Sequence, residues 1–146
     1  MAMQEKQIIG WREWVHLPAL NITKIKAKID TGARTSALHA FEVSEYEKEG
    51  VRRVRFAVHP IQDDQQTVVE CDEVVMDQRI VMDSGGHQEQ RYIIKTLFQL
   101  GQRQWPIEMT LTNRDTMKFR MLLGRTAMRG KVMVDPSKSY LSKPES

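Results

Sequence analysis

Cysteine and long apolar runs are nearly absent from this sequence, and both absences exclude whole classes of protein. Cys71 is the only cysteine among 146 residues, so one chain cannot form an internal disulfide framework. No segment approaches the roughly 20 consecutive apolar residues that a membrane-spanning helix needs. Residues 1–7 lack the apolar core and the cleavage site of a secretory signal. We therefore expect a cytoplasmic protein that works in a reducing compartment and does not enter a membrane.

The motifs of several metal-dependent and nucleotide-dependent enzymes are also missing. The sequence has no His-Glu-x-x-His zinc motif and no Gly-x-Ser-x-Gly nucleophile elbow. The segment from Gly124 to Val132 approaches a P-loop, but five residues separate its glycines and a valine follows its lysine, where a P-loop has four residues and a hydroxyl. The potential zinc ligands are scattered: His16, His39, His59, His87 and Cys71. We expect no metal and no cofactor, and a zinc site assembled from distant residues stays open as an alternative.

The composition is that of one globular domain, which we place at residues 1–146. Forty per cent of the residues are hydrophobic and 28% are charged, and the length allows a sizeable core. The net charge is only +3, but cations crowd around Asp30 and around Gly124: Lys24, Lys26, Lys28 and Arg34 near the first, Arg114, Lys118, Arg120 and Arg125 near the second. If these segments meet, their basic rim would steer acidic substrates. Alternatively, the lysines form the solvated face of a strand.

Many short segments of alternating polarity, separated by glycine turns, predict an all-β fold of the sandwich or barrel kind. The expected strands cover residues 7–15, 22–29, 37–43, 52–59, 67–75, 78–82, 88–94, 92–100 and 104–111, with a polar connection at 45–50. A short helix is expected at 125–129, ended by Gly130. We expect Trp11, Trp14 and Trp105 to pack in the core rather than to stack on nucleotides, and we expect no nucleic-acid partner.

The most informative segment is the Asp-Thr-Gly triplet that follows an apolar approach. Asp30 would be the acid/base group, the Thr31 hydroxyl would lock the loop, and Gly32 lets backbone and substrate come close. A second signal lies 94 residues later (124 − 30), where Leu122, Leu123 and Gly124 precede an arginine. Pepsin-like and retroviral proteases pair each such triplet with an apolar-apolar-Gly strand that supports the loop from behind. The two signals together therefore favour an aspartic peptidase.

The resemblance to one bacterial family extends along nearly the whole chain. It is carried by the segments 9–15, 17–18, 26–38, 107–114, 121–125, 134–136 and 139–141. The sequence resembles the family labelled "RimK-associated ATP-dependent zinc protease", whose members look like retropepsin-type aspartic peptidases. RimK is an ATP-grasp ligase that adds glutamates to a ribosomal protein. The resemblance implies a closed retropepsin-like β-barrel, a peptidase acting on glutamate-rich or glutamylated protein tails, and a functional link to such a ligase.

The same resemblance implies where substrate would bind. A glycine-tipped flap would be the hairpin at 79–91, because Gly86 precedes the turn at Gly101 by 15 residues (101 − 86), and such a flap closes over substrate. An ordinary surface hairpin is the alternative. The residues expected to contact substrate are Ala33, Arg34, Ser84, Gly85, Gly86 and Arg125.

Arg34 is a departure from retroviral enzymes, which carry an acidic residue there to pair with the arginine after the glycine strand. Arg125 then needs another partner, such as Asp115 or Asp135, or one of the two arginines faces substrate. A cation near Asp30 would also favour the ionised carboxylate and oppose proton sharing. We interpret Arg34 as a residue that recognises acidic substrates.

The sequence offers one credible catalytic loop, whereas the chemistry needs two carboxylates. The second candidate triplet, Asp83 to Gly85, has no apolar return and no supporting glycine strand, so we interpret it as a turn. We therefore expect a homodimer in which each protomer supplies one Asp30. Two alternatives stay open: a non-catalytic module of the same fold that binds acidic peptides, and a zinc-dependent protease.

Overall fold

A computed structural model describes residues 5–61, 64, 66–82, 85, 86, 88–113 and 118–142, with only the backbone of residues 81 and 82. The strands are β1 (Gln7–Ile9), β2 (Arg12–Leu17), β3 (Ile22–Asp30), β4 (Ser36–His39), β5 (Phe41–Lys48), β6 (Val51–Val58), β7 (Val69–Val74), β8 (Asp77–Met82), β9 (Gln88–Leu100), β10 (Arg103–Thr112), β11 (Met121–Gly124) and β12 (Val132–Val134). A helix, α1, spans Arg125–Met128, and a 3-10 turn spans Pro18–Leu20.

Six strands close into a barrel in the order β10-β4-β11-β3-β2-β9, and β9 pairs with β10 to complete the circle. β10 runs parallel to β4, and β11 runs parallel to β3. β8 extends the sheet beyond β9 and does not take part in the closure. The predicted all-β, closed-barrel fold with one short helix near the C-terminus is therefore confirmed.

Alternation along β3 shows why this strand lines the barrel. Ile25, Ala27 and Ile29 are buried in the core, whereas Lys24 and Lys28 on the opposite face are exposed. A strand turns successive side chains to opposite faces, so a period of two separates core from solvent. A second sheet, β5-β6-β7, adds Val54, Phe56, Val58 and Cys71 to the same apolar cluster.

The predicted strand boundaries are wrong at three places, one of which is the expected strand at 37–43, divided between β4 and β5. The expected strand at 7–15 is split at Gly10 into β1, which pairs with β12, and β2, which belongs to the barrel. The expected polar connection at 45–50 is mostly strand, because β5 continues to Lys48 and pairs with β6. That exposed strand has no apolar stripe, and cross-strand charge pairs such as Glu45 with Arg52 support it instead.

The two strands predicted at 88–94 and 92–100 are one continuous strand in the structure, β9, from Gln88 to Leu100. The hairpin turn that follows it at Gly101 is as predicted. Trp105 is buried as expected, but the core prediction for Trp11 and Trp14 is wrong. β2 points its odd-numbered residues inward, so Trp14 lies on the half-exposed outer face.

The helix α1 begins directly after Gly124 and is followed by Gly130, whose φ of 78° is the left-handed conformation that ends helices. Its buried residues, Ala127 and Met128, join the core. In the described ranges, no helix has the length and apolar character that crossing a lipid bilayer requires.

The fully buried carboxylate of Glu13 ties the C-terminal segment to β2. It accepts hydrogen bonds from three backbone N–H groups, those of Gly10 (2.7 Å), Leu141 (2.9 Å) and Ser142 (2.8 Å). Backbone donors buried away from water need partners. One side chain therefore provides the acceptors for the N–H of Gly10, before β2, and for those of Leu141 and Ser142 in the C-terminal segment.

We predict that Glu13→Gln lowers the free energy of unfolding by about 1–3 kcal/mol, because the amide NH₂ would face a buried N–H donor and leave it without an acceptor. Urea denaturation measures this loss. Glu47→Gln is the matched control, since Glu47 is exposed on β5. Equal stability of the two variants would contradict the role assigned to Glu13.

Candidate functional site

Asp30 is the last residue of β3 and lies beside Gly124 of β11 in the parallel pair. Its half-buried carboxylate accepts a hydrogen bond from the Gly32 N–H (3.1 Å), and its carbonyl accepts one from the Ala33 N–H (3.2 Å). These two bonds close a tight turn directly after the strand. The turn fixes the carboxylate and leaves it accessible to water and substrate.

The helix that follows β11 braces this loop from behind. The Arg125 N–H donates to the Ala33 carbonyl (2.8 Å), and the Arg125 guanidinium donates to the Gly32 carbonyl (3.1 Å). Both the N–H and the hydroxyl of Thr126 donate to the Arg34 carbonyl, at 3.1 and 2.7 Å. Four hydrogen bonds therefore hold residues 32–34 against the start of α1.

The partner of Arg125 is thus a loop carbonyl rather than Asp135, and Asp115 lies outside the described residues. A contact between Arg125 and substrate stays a prediction. Thr126 was not predicted as a site residue. The signal for it in the sequence was weak, a hydroxyl residue placed directly after Gly-Arg.

Gly124 packs so closely behind the loop that no side chain fits. A Cβ at this position would lie 2.6 Å from the Thr35 carbonyl carbon and 2.9 Å from the Ser36 nitrogen. The buried Ser36 hydroxyl accepts a hydrogen bond from the Gly124 N–H (3.0 Å). The predicted supporting residues therefore lie behind the loop, with Leu122 half-buried and Leu123 fully buried in the same strand.

Thr31 is exposed and has no hydrogen-bond partner within the part of the chain that the structure describes. The expected locking of the loop by this hydroxyl is therefore not made inside one protomer. Thr31 is exposed to solvent, and the role of its hydroxyl in bracing the loop stays a prediction.

A groove of about 360 Å³ adjoins the loop and collects cations from separate elements. Arg34 comes from the loop, Arg79 from β8 and Lys95 from β9, with Glu108 of β10 as the acid in the lining. Arg79 forms an ion pair with Asp77 (3.3 Å). Among the described residues, the side chains of Arg34 and Lys95 have no hydrogen-bond or ion-pair partner. The groove therefore carries unpaired positive charge.

The candidate flap is an antiparallel hairpin of β8 and β9. Gly86, near its tip, has a φ of 82°, which glycine adopts without strain. Gly85 is also exposed, whereas Ser84 lies outside the described residues, as do Asp83 and His87. The function of this hairpin as a flap stays a prediction.

Among the described residues, no group of three or more His, Cys, Asp or Glu side chains is placed to hold a metal ion. Burial raises the pKa of the Cys71 thiol to about 12, so this thiol is not a nucleophile near neutral pH. His39 is buried, and His59 stacks on Phe41 with ring centroids 4.4 Å apart.

We predict that Gly124→Ala lowers the free energy of unfolding by about 3 kcal/mol, because the added methyl would collide with backbone atoms. Amide hydrogen exchange at residues 30–36 should accelerate as the loop is displaced. Gly50→Ala is the control: no atom lies within 4 Å of its added Cβ, so its only cost is backbone strain from a φ of 79°, and exchange at residues 30–36 should stay unchanged in it. Unchanged exchange in Gly124→Ala would contradict the support role.

Comparison with known proteins gives the chain a family. A protein from Shewanella pealeana named probable alpha-L-glutamate ligase is 47% identical over 135 residues, which cover 92% of this chain and 30% of that protein. A protein of the same name from Parasynechococcus marenigrum is 47% identical over 138 residues, 94% of this chain and 30% of its own length. The chain thus spans about 30% of the length of these curated relatives.

A crystal structure of a Legionella pneumophila protein of unknown function (DUF785) has the same fold. Its TM-score is 0.80, and the match covers 95% of this chain and 100% of that one at 27% identity. Residues 8–145 match the family model of the retropepsin-like aspartic endopeptidase RimB. The chain, with its Asp-Thr-Gly loop set against a glycine strand in a closed barrel, belongs to the RimB-like family of retropepsin-like aspartic endopeptidases.

Proposed function

We propose that this protein hydrolyses peptide bonds with a pair of Asp30 carboxylates, one from each protomer of a homodimer. The observation that carries this proposal is the Asp30 turn, which lies beside Gly124, is braced by Arg125 and Thr126, and leaves its carboxylate partly exposed. The Asp-Thr-Gly triplet occurs once in the sequence. In this proposal residues 1–146 form one retropepsin-like domain, and the hairpin at 79–91 is its flap.

Two carboxyl groups in hydrogen-bond reach share one proton, because ionising both side by side is unfavourable. The ionised carboxylate takes a proton from water as the water oxygen attacks the peptide carbonyl carbon. The protonated carboxyl gives its proton to the carbonyl oxygen. The tetrahedral intermediate then collapses: one of its hydroxyls returns a proton to the ionised carboxylate, the C–N bond breaks, and the leaving amine takes a proton from the other carboxyl, which restores the dyad.

The exposed side of the loop supports a twofold assembly. Asp30 is half-buried and Thr31 is exposed, and among the described residues the loop is braced through the carbonyls of residues 32–34, by Arg125 and Thr126. In a homodimer the axis would pass between the two Asp30 residues, and each Thr31 hydroxyl would bond the partner loop. Substrate would lie between the two loops and the flaps as an extended strand.

Acidic peptides, glutamate-rich or glutamylated, are the substrates that fit the charge of the groove. Arg34 and Lys95, which have no ion-pair partner among the described residues, line the groove beside the loop, and a guanidinium binds carboxylates in a bidentate manner. Relatives named probable alpha-L-glutamate ligase contain a segment like this chain. We therefore connect the peptidase to an ATP-grasp glutamate ligase and place both in the cytoplasm.

Subunit mixing tests the shared dyad. Asp30→Asn should abolish hydrolysis of a fluorogenic glutamate-rich peptide, because an amide can neither accept the proton of water nor share one. When wild type and Asp30→Asn are refolded together, only wild-type dimers hold two carboxylates. Activity per total protein should therefore fall as the square of the wild-type fraction.

Asp135→Asn is the control for this experiment, since Asp135 follows β12 and accepts a hydrogen bond from the Ser137 hydroxyl; mixing it with wild type should leave activity constant. A linear decline in the Asp30→Asn mixtures would mean that each protomer holds a complete site. Full activity of pure Asp30→Asn would contradict the dyad. Absence of activity in wild type, with acidic peptides still bound, would favour the non-catalytic binding module.

Arg34→Asn tests the groove. We expect kcat/KM on glutamate-rich peptides to fall about tenfold or more, because a charged hydrogen bond contributes about 1.5–3 kcal/mol. Cleavage of a neutral peptide should change little. Arg129→Asn is the matched control, since Arg129 is an exposed arginine that lies outside the groove. Equal losses on neutral and acidic peptides would instead indicate a disturbed catalytic loop.

A further inference from the structure

Aromatic rings and cations alternate on the outer face of the barrel, on β2, β3 and the C-terminal segment. We name this surface the cation–aromatic ladder, and it consists of Trp11, Arg12, Trp14, Lys24, Lys26 and Tyr140. These residues are half-buried or exposed. They take no part in the loop, the groove or the hairpin described above.

The contacts within the ladder are specific. The Lys24 ammonium lies 4.2 Å from the Trp14 ring centroid, and Trp14 stacks on Tyr140 at 6.2 Å. The Arg12 guanidinium lies between two rings, 4.9 Å from Tyr140 and 4.6 Å from Trp11. Cation–π contacts of this kind hold each charged group in place on the surface.

The ladder continues towards the candidate catalytic carboxylate. Lys24, Lys26, Lys28 and Asp30 occupy the outward face of β3, while Ile25, Ala27 and Ile29 are buried. Residues two apart on one face of a strand are separated by about 6.6 Å. Alternate glutamates of an extended acidic peptide carry their carboxylates at the same spacing, so cations and carboxylates can pair along the strand.

Charge complementarity selects an acidic polypeptide among the candidate occupants. Lys24 and Lys28 have no carboxylate partner within the described ranges. Single-stranded nucleic acid binds by stacking bases on open aromatic faces, but here side chains of the same chain engage the rings of Trp11, Trp14 and Tyr140. A second copy of this chain would bring like charges together.

We propose that the cation–aromatic ladder, with Lys28, is a docking surface for an acidic polypeptide segment that extends beyond the cleavage site. The inference rests on the proposed function for its choice of substrate, whereas docking itself requires no hydrolysis. A long acidic tail would bind the ladder and present its remaining part to Asp30.

The test measures binding with catalysis removed. In the full chain carrying Asp30→Asn, fluorescence anisotropy would follow a dye-labelled oligoglutamate peptide long enough to span β3. Adding Lys24→Glu and Lys28→Glu should weaken binding by about tenfold or more, since like charges would then face the peptide. Lys6→Glu with Lys48→Glu is the control, because it makes the same charge change at exposed lysines outside the ladder.

Unchanged affinity in the Lys24→Glu, Lys28→Glu protein would overturn the proposal, as would an equal loss in the control protein. If oligothymidylate binds the same surface more tightly than oligoglutamate, the ladder is a nucleic-acid site instead. If the ladder substitutions dissociate a dimer in sedimentation while peptide affinity persists, the surface joins two copies. The experiment measures binding and not hydrolysis, so its outcome does not depend on whether the proposed peptidase activity exists.

Discussion

The close packing of Gly124 behind residues 35 and 36 is the constraint on which the site depends. Parallel pairing places Gly124 beside Asp30, and the strand can approach Thr35 only because it carries no Cβ there. A larger residue would push β11 away from the loop and would break the bond from the Gly124 N–H to Ser36. Barrel closure and presentation of the carboxylate are therefore secured by the same contact.

The position of Gly124 also determines how the loop is held, because α1 begins directly after it. Arg125 and Thr126 begin a helix as soon as β11 ends, and their donors reach the carbonyls of residues 32–34. Apart from the two bonds that close the turn itself, the described hydrogen bonds to this loop come from the start of α1. Asp30 and Thr31 are left partly or fully exposed to solvent. In the homodimer proposed above, a second copy of the loop would cover them.

Features of the fold and the site could be predicted from the sequence where a short segment carries their pattern, and were missed where they depend on residues far apart in the chain. The Asp-Thr-Gly and Leu-Leu-Gly segments predicted the support of the loop, alternation predicted β3 and a sandwich or barrel, and the family resemblance implied the closed barrel. β5 was missed because its polar residues give no apolar stripe, and the break at Gly10 was missed because it depends on Glu13 and the C-terminal segment. The groove joins residues from the loop, β8 and β9, which only barrel closure brings together.

The net charge is only +3, but the arrangement of charges differs between the sheet of β5, β6 and β7 and the surroundings of Asp30. In the sheet of β5, β6 and β7 several charges form ion pairs: Glu45 pairs with Arg52, and Asp72 lies between Arg53 and Arg55. Burial alone would raise the pKa of Asp72, but the hydroxyl of Tyr46 and these two guanidinium groups hold it below its ordinary value. Around Asp30 the cations Arg34, Lys95 and Lys28 lack such partners in the described ranges. Cations without carboxylate partners in those ranges thus lie in the groove and on the face of β3 that leads to Asp30, which is the charge that the proposed acidic substrate would need.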